Sequence, residues 1–177
     1  MAARVVLSLL LVLVVGSHTA SSTVVQTCVN AVARGGRRDL EVFCVTTLQA
    51  APGSATADAQ GLAVIATNLT LANYTAAVAT IKDLQKRGGW TAKQLGALIT
   101  CRQGYIQALN MVHSAVHALA TGQKQAYVDT MGIVREAALD CEEAFVDADP
   151  EDKSMPSKVN WDAKLLTTVA MMIVMSL

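Results

Sequence analysis

Long parts of the chain carry an apolar residue at every third or fourth position, the spacing that places side chains on one face of an α-helix. Glycine interrupts this repeat, at Gly88-Gly89 and again at Thr121-Gly122. Because glycine commonly lies just past the end of a helix, both points indicate helix ends. We expect four long helices, over about 56–87, from the N-cap Thr91 to about 120, over about 124–146, and over about 161–177.

Most of the connections between these helices are short, and short connections make neighbouring helices antiparallel. The sequence therefore predicts an all-α fold, an up-down-up-down four-helix bundle over residues 55–177. Two shorter helical segments in residues 23–54 are separated by Gly35-Gly36-Arg37-Arg38, and a Cys28–Cys44 bridge would join them into a small N-terminal helical hairpin. A disordered chain is excluded, because 53% of the residues are hydrophobic and 16% are charged.

The charges balance, with 14 Lys and Arg against 14 Asp and Glu. Without a long-range electrostatic field we expect neither nucleic acid nor an anionic membrane as a partner.

Residues 1–22 have the pattern of a secretory signal peptide: Arg4, an apolar run over 5–15, then small residues. The run is shorter than the roughly 20 apolar residues that span a membrane. We expect secretion and a mature domain over 23–177.

A secreted chain passes through an oxidising compartment, which bears on its four cysteines, Cys28, Cys44, Cys101 and Cys141. An even number in an oxidising compartment predicts two disulfides, for which three pairings are possible. No close C-x-x-C pair is present, so a zinc site is disfavoured.

The chain also carries two N-glycosylation sequons, Asn68-Leu-Thr70 and Asn73-Tyr-Thr75. We expect both asparagines to be exposed and at least one of them to carry a glycan.

Few residues are candidates for catalysis. His113 and His117 have the four-residue spacing of two zinc ligands, but no glutamate follows His113 as it does in a metalloprotease. Asp140, Glu142 and Glu143 cluster beside Cys141. Paired carboxylates can carry out glycosidase chemistry, but on the flank of a helix they far more often form a solvated face. No nucleophile elbow, phosphate loop or dinucleotide motif is present. We expect a rigid module without enzymatic activity, metal or cofactor, which works by surface contact.

The C-terminal segment allows two interpretations. Residues 165–177 are apolar apart from two threonines and a serine, and a GPI-anchor signal also ends in an apolar tail. That signal needs small residues at the attachment site, and neither Ser154-Met155-Pro156 nor Ser157-Lys158-Val159 supplies them. The helical spacing favours a fourth bundle helix, and a GPI-anchored or structural surface protein without a target is the alternative.

The order and spacing of these elements resemble the plant invertase and pectin methylesterase inhibitor family. A signal peptide precedes a short hairpin with two cysteines, and a long alanine-rich helix follows. Cys101-Arg-Gln-Gly-Tyr-Ile-Gln-Ala-Leu109 is similar to the family's C-x-x-x-Y-x-x-A-L element. Ala137-Ala-Leu-Asp-Cys-Glu-Glu-Ala-Phe145 is similar to its A-A-x-x-x-C-x-x-x-F element, and Lys164-Leu-Leu-Thr-Thr-Val-Ala170 resembles part of its last helix.

The resemblance implies disulfides Cys28–Cys44 and Cys101–Cys141 within a four-helix bundle that carries an N-terminal hairpin. It also implies an inhibitor, because members of the family block plant pectin methylesterases or acid invertases by forming stoichiometric complexes over the substrate cleft. We therefore expect a 1:1 complex with pectin methylesterase in the cell wall space, with cell-wall or vacuolar invertase as the alternative target. The contacts should lie on an exposed face of the bundle helices, which the sequence does not identify.

Three departures from the family pattern bear on this expectation. Gly35-Gly36-Arg37-Arg38 lengthens the spacing between the first two cysteines. Invertase inhibitors often carry a Pro-Lys-Phe element between the first two long helices, and the stretch 88–93 lacks it, which counts against invertase. Asp140 stands where threonine often precedes the last family cysteine, so a target contact from that position would differ.

Overall fold

The structure, a computed structural model, describes residues 23–148 and 157–177, so the predicted signal peptide lies outside the described part. Helices account for most of that part, and it contains no strand. The predicted all-α fold is thereby confirmed. In chain order the helices are α1 (23–34), α2 (Glu41–Gln49), α3 (Ala59–Arg87), α4 (Ala92–Ala120), α5 (Lys124–Ala148) and α6 (Ser157–Ser176).

The ends of the long helices follow local capping chemistry. Thr91 and Gln94 form the predicted capping box of α4, in which each side chain accepts a hydrogen bond from the other residue's backbone N–H. Helix α3 begins at Ala59 rather than near residue 56, because Asp58 is the N-cap and accepts from the Gly61 N–H at 2.7 Å. Helix α6 begins at Ser157, one turn before the predicted start.

The four long helices form the predicted bundle. Extensive contacts join α3 to α4, α4 to α5, α5 to α6 and α6 back to α3. Helices α3 and α5 therefore lie diagonally across the centre, as do α4 and α6. Helix α3 is long and apolar enough by composition to cross a membrane, a property that buried helices of soluble bundles share. Leu62, Ala66 and Ile81 of this helix are buried in the core.

Alanine fills many of the buried positions and allows the helices to approach closely. Ala63, Ala77, Ala108, Ala115 and Ala138 are all buried. Such a core buries less apolar area per residue than a leucine core, so hydrogen bonds and covalent links carry a larger share of its stability.

Three buried tyrosines connect the diagonal helices. The Tyr74 hydroxyl of α3 donates to the Val134 carbonyl oxygen of α5 at 2.9 Å. The hydroxyls of Tyr127 in α5 and Thr67 in α3 lie 2.7 Å apart. Burial raises the pKa of Tyr74 and of Tyr127 to about 12. The charged phenolate is thus disfavoured at both places, as expected for hydroxyls that form hydrogen bonds inside a buried core.

The other diagonal, α4 to α6, is joined by Tyr105, whose hydroxyl donates to Asn160 Oδ1 at 2.8 Å. Burial also raises the pKa of Tyr105. The rings of Tyr74 and Tyr105 meet edge to face with centroids 5.0 Å apart, so the two diagonal connections touch in the centre of the bundle.

Two disulfides link neighbouring helices, and they are the pairs that the family resemblance implies. Cys28–Cys44 joins α1 to α2, and Cys101–Cys141 joins α4 to α5. The additional residues between the first two cysteines form the turn of the hairpin, where Gly36 has φ +65°. The longer spacing is therefore absorbed by the turn, and the two hairpin helices remain paired.

Candidate docking surface

The residues considered for metal binding do not converge. His113 and His117 are both exposed on α4. Within 23–148 and 157–177, no three His, Cys, Asp or Glu side chains are placed to hold a metal ion together.

The three carboxylates of the α5 cluster differ in their exposure to solvent. Asp140 and Glu143 are exposed, whereas Glu142 is half-buried at the contact with α6. Glu142 accepts hydrogen bonds from Ser157 Oγ at 3.0 Å and from Asn160 Nδ2 at 2.8 Å. Because Asn160 also accepts from Tyr105, a continuous set of hydrogen bonds runs from the core to the surface. Glu142 thus fixes the start of α6 against α5, a structural role that the sequence did not indicate.

A cleft of about 480 Å³ lies beside Glu142, between α5 and α6. Trp161 stands at this cleft with 56% of its surface exposed, and Lys164 Nζ lies 5.1 Å from the centroid of its ring. On the same helix, Lys158 and Asp162 form an ion pair at 2.6 Å. Tryptophan is enriched at the energetically important positions of protein–protein interfaces. The exposed Trp161 beside the hydrogen-bonded Glu142 and Asn160 is therefore a candidate contact residue.

Two helix faces offer further contact area. Leu95, Ile99 and Ile106 are spaced by four and seven residues, so they share one face of α4, and each is more than 40% exposed. On α5, four exposed carboxylates are spaced by four, three and four residues and share its outer face; they are Glu136, Asp140, Glu143 and Asp147. The bundle therefore presents on α4 a face of three exposed apolar residues interrupted by the exposed Arg102, and an acidic stripe on α5.

The two sequon asparagines lie in different surroundings. Both fall within α3, but Asn68 is exposed and Asn73 is half-buried, so the expectation that both are exposed holds for Asn68 alone.

Comparison with known proteins identifies a family that matches this chain. The model of the family Plant invertase/pectin methylesterase inhibitor matches residues 22–173. None of the curated proteins compared with the chain matches it. Its fold is similar to a mutant form A of a pectin methylesterase inhibitor from Arabidopsis, with a TM-score of 0.64, 22% identity, and coverage of 76% of this chain and 88% of that one.

A second crystal structure, a pectin methylesterase inhibitor from Arabidopsis thaliana, has a TM-score of 0.57 and 21% identity, and the match covers 76% of this chain and 86% of that one. At this level of identity the two structures support the fold alone. The family match is broader evidence, because it extends over nearly the whole of the predicted mature chain. The chain belongs to the plant invertase/pectin methylesterase inhibitor family.

Proposed function

We propose that this protein is a secreted inhibitor that binds a plant pectin methylesterase in a 1:1 complex and blocks its substrate cleft. The observation that carries the proposal is the family match over residues 22–173. The protein acts by occupying a surface of its target and has no catalytic role of its own.

The physical character of the bundle suits this role. Two disulfides and the tyrosine hydrogen bonds hold the helices in fixed positions, so little conformational entropy remains to be lost on docking. The exposed Trp161 and the exposed faces of α4 and α5 lie on helices, which hold side chains more firmly than loops do.

The turn between α3 and α4 favours pectin methylesterase over invertase. It lacks the Pro-Lys-Phe element of invertase inhibitors, and Trp90 is turned back onto the end of α3. The Trp90 indole donates to the Leu84 carbonyl oxygen at 2.7 Å and is half-buried. Trp90 is therefore committed to a contact within the chain.

Secretion to the cell wall, after removal of residues 1–22, is part of the proposal. The packing of α6 supports a protein without a lipid anchor. A GPI signal is removed when the anchor is attached, and its removal here would take Leu165, Val169 and Ile173 out of the core. Helices α3 and α5, which both pack against α6, would then expose apolar surface to water.

The experiment is a titration of the oxidised mature protein against a plant pectin methylesterase, with an acid invertase assayed in parallel. We expect loss of esterase activity with an endpoint near one inhibitor per enzyme, and no effect on invertase. A reduced and alkylated sample serves as the control, because it has the same composition without the covalent links. Inhibition of invertase alone would identify the protein as an invertase inhibitor of the same family. No effect on either enzyme would refute the proposal.

A further inference from the structure

Two sequons five residues apart lie on one helix, yet the fold treats them differently. Successive residues of an α-helix are rotated by about 100°, so Asn68 and Asn73 occupy different sides of α3. Asn68 is exposed. Asn73 is half-buried, and its Oδ1 atom is enclosed without a hydrogen-bond partner in the described part of the chain. Its neighbour Tyr74 is fully buried and bonded to α5.

The hydroxyl of the first sequon is inaccessible in the folded protein. Thr70 is fully buried, and its Oγ1 donates to the Ala66 carbonyl oxygen at 3.0 Å. In addition, residues two apart on a helix face in nearly opposite directions. An enzyme that recognises Asn68 together with the Thr70 hydroxyl must therefore act before α3 folds. The finished glycan then has to be compatible with the bundle that forms around α3.

We propose that Asn68 is the glycosylated residue of the folded protein and that Asn73 is unmodified. The donor is an oligosaccharide linked to a lipid pyrophosphate. Asn68 Nδ2 loses a proton to the transferase and forms a bond to the anomeric carbon of the first sugar. The bond between that carbon and the pyrophosphate oxygen breaks, the lipid pyrophosphate leaves, and no group is oxidised or reduced.

The surroundings of Asn68 accommodate a sugar chain. It borders a groove of about 150 Å³ between α3 and the end of α4. Val64 and Val116 line that groove and are 43% and 38% exposed. The first sugars can lie over this apolar surface without displacing any core side chain.

The carboxamide of Asn73 is less accessible, because its side chain is half-buried and its Oδ1 is enclosed. A glycan on Nδ2 of this carboxamide has to be accommodated next to the enclosed oxygen, which we expect to cost packing around α3. Chains modified at Asn73 should therefore fold less well and be retained in the secretory pathway. The proposal depends on secretion but is independent of which enzyme is the target.

The test is the intact mass of protein secreted from plant cells, before and after enzymatic removal of N-glycans. The variants are Asn68→Gln, which removes the first sequon at an exposed side chain, and Thr75→Ala, which removes the second. Thr75→Ala is the matched partner because Thr75 is also exposed and Asn73 is left in place. Both variants should fold, and two intact disulfides by mass would verify this.

We expect one glycan on the wild type, the same glycan on Thr75→Ala, and none on secreted Asn68→Gln. A peptide map should place the sugar at Asn68. Glycan at Asn73 in the secreted, folded protein would overturn the proposal, and so would a secreted wild type that carries no glycan.

Discussion

The Cys101–Cys141 disulfide should be the larger of the two covalent contributions to stability. It joins α4 to α5 and closes a loop with a sequence separation of 40 residues, whereas Cys28–Cys44 closes one of 16. In the chain-entropy treatment, the longer loop contributes about 4 kcal/mol and the shorter one about 3 kcal/mol to the free energy of unfolding. The loss should lower Tm by roughly 2–4 °C per kcal/mol in a domain of this size.

The perturbation is Cys101→Ala/Cys141→Ala, with Cys28→Ala/Cys44→Ala as its matched control. Alanine is preferable to serine, because all four positions are buried and a serine hydroxyl there would need a partner. The assay is urea unfolding of the mature protein followed by circular dichroism. We expect both double variants to lose stability, with the larger loss in the α4–α5 variant.

Two outcomes would refute this reasoning. An α4–α5 variant with the stability of the wild type would mean that the denatured state is already as restricted without the link. A hairpin variant that loses more than the α4–α5 variant would mean that loop length does not govern the ranking, and that lost packing around the hairpin dominates.

Two further predictions concern the buried tyrosines. Tyr105→Phe leaves Asn160 Oδ1 without its donor and should cost about 1–3 kcal/mol in urea unfolding; an unchanged midpoint would show that water replaces the hydroxyl. Tyr74 and Tyr127 have a pKa of about 12 in the folded protein, above the ordinary value of about 10 that applies to the unfolded chain. Their contribution to stability is therefore complete below about pH 10 and is lost as the pH rises from about 10 to about 12. Urea midpoints across this range, with tyrosinate absorbance recorded in parallel, measure the loss, and it should shrink in a Tyr127→Phe variant.

The local features of the fold could be predicted from the sequence because they depend on neighbouring residues. Gly88-Gly89 ends α3, and Thr91 with Gln94 begins α4, each by a bond or a conformation that needs no distant partner. The start of α6 was wrong by one turn. The acidic, proline-containing stretch before Ser157 has the composition of a loop, and Ser157 itself is ordered by its bond to Glu142 of another helix.

Features that depend on how helices rotate against each other could not be predicted. The burial of Asn73 follows from the orientation of α3 in the bundle, which its own sequence leaves open. The cleft beside Trp161 exists because α5 and α6 meet at Glu142 and Asn160, residues 18 positions apart. Spacing alone left three disulfide pairings, and the family resemblance was needed to choose among them.

The diagonal tyrosine bonds also bear on how the helices are aligned along the bundle axis. An interface rich in alanine is smooth, so a helix that slides by one turn, about 5.4 Å, would exchange one set of small side chains for another. The same slide would carry Tyr74, Tyr105 and Tyr127 away from their partners and leave buried hydroxyls without bonds. The three tyrosines therefore fix the register of the helices along the bundle axis, which alanine packing alone would leave undefined.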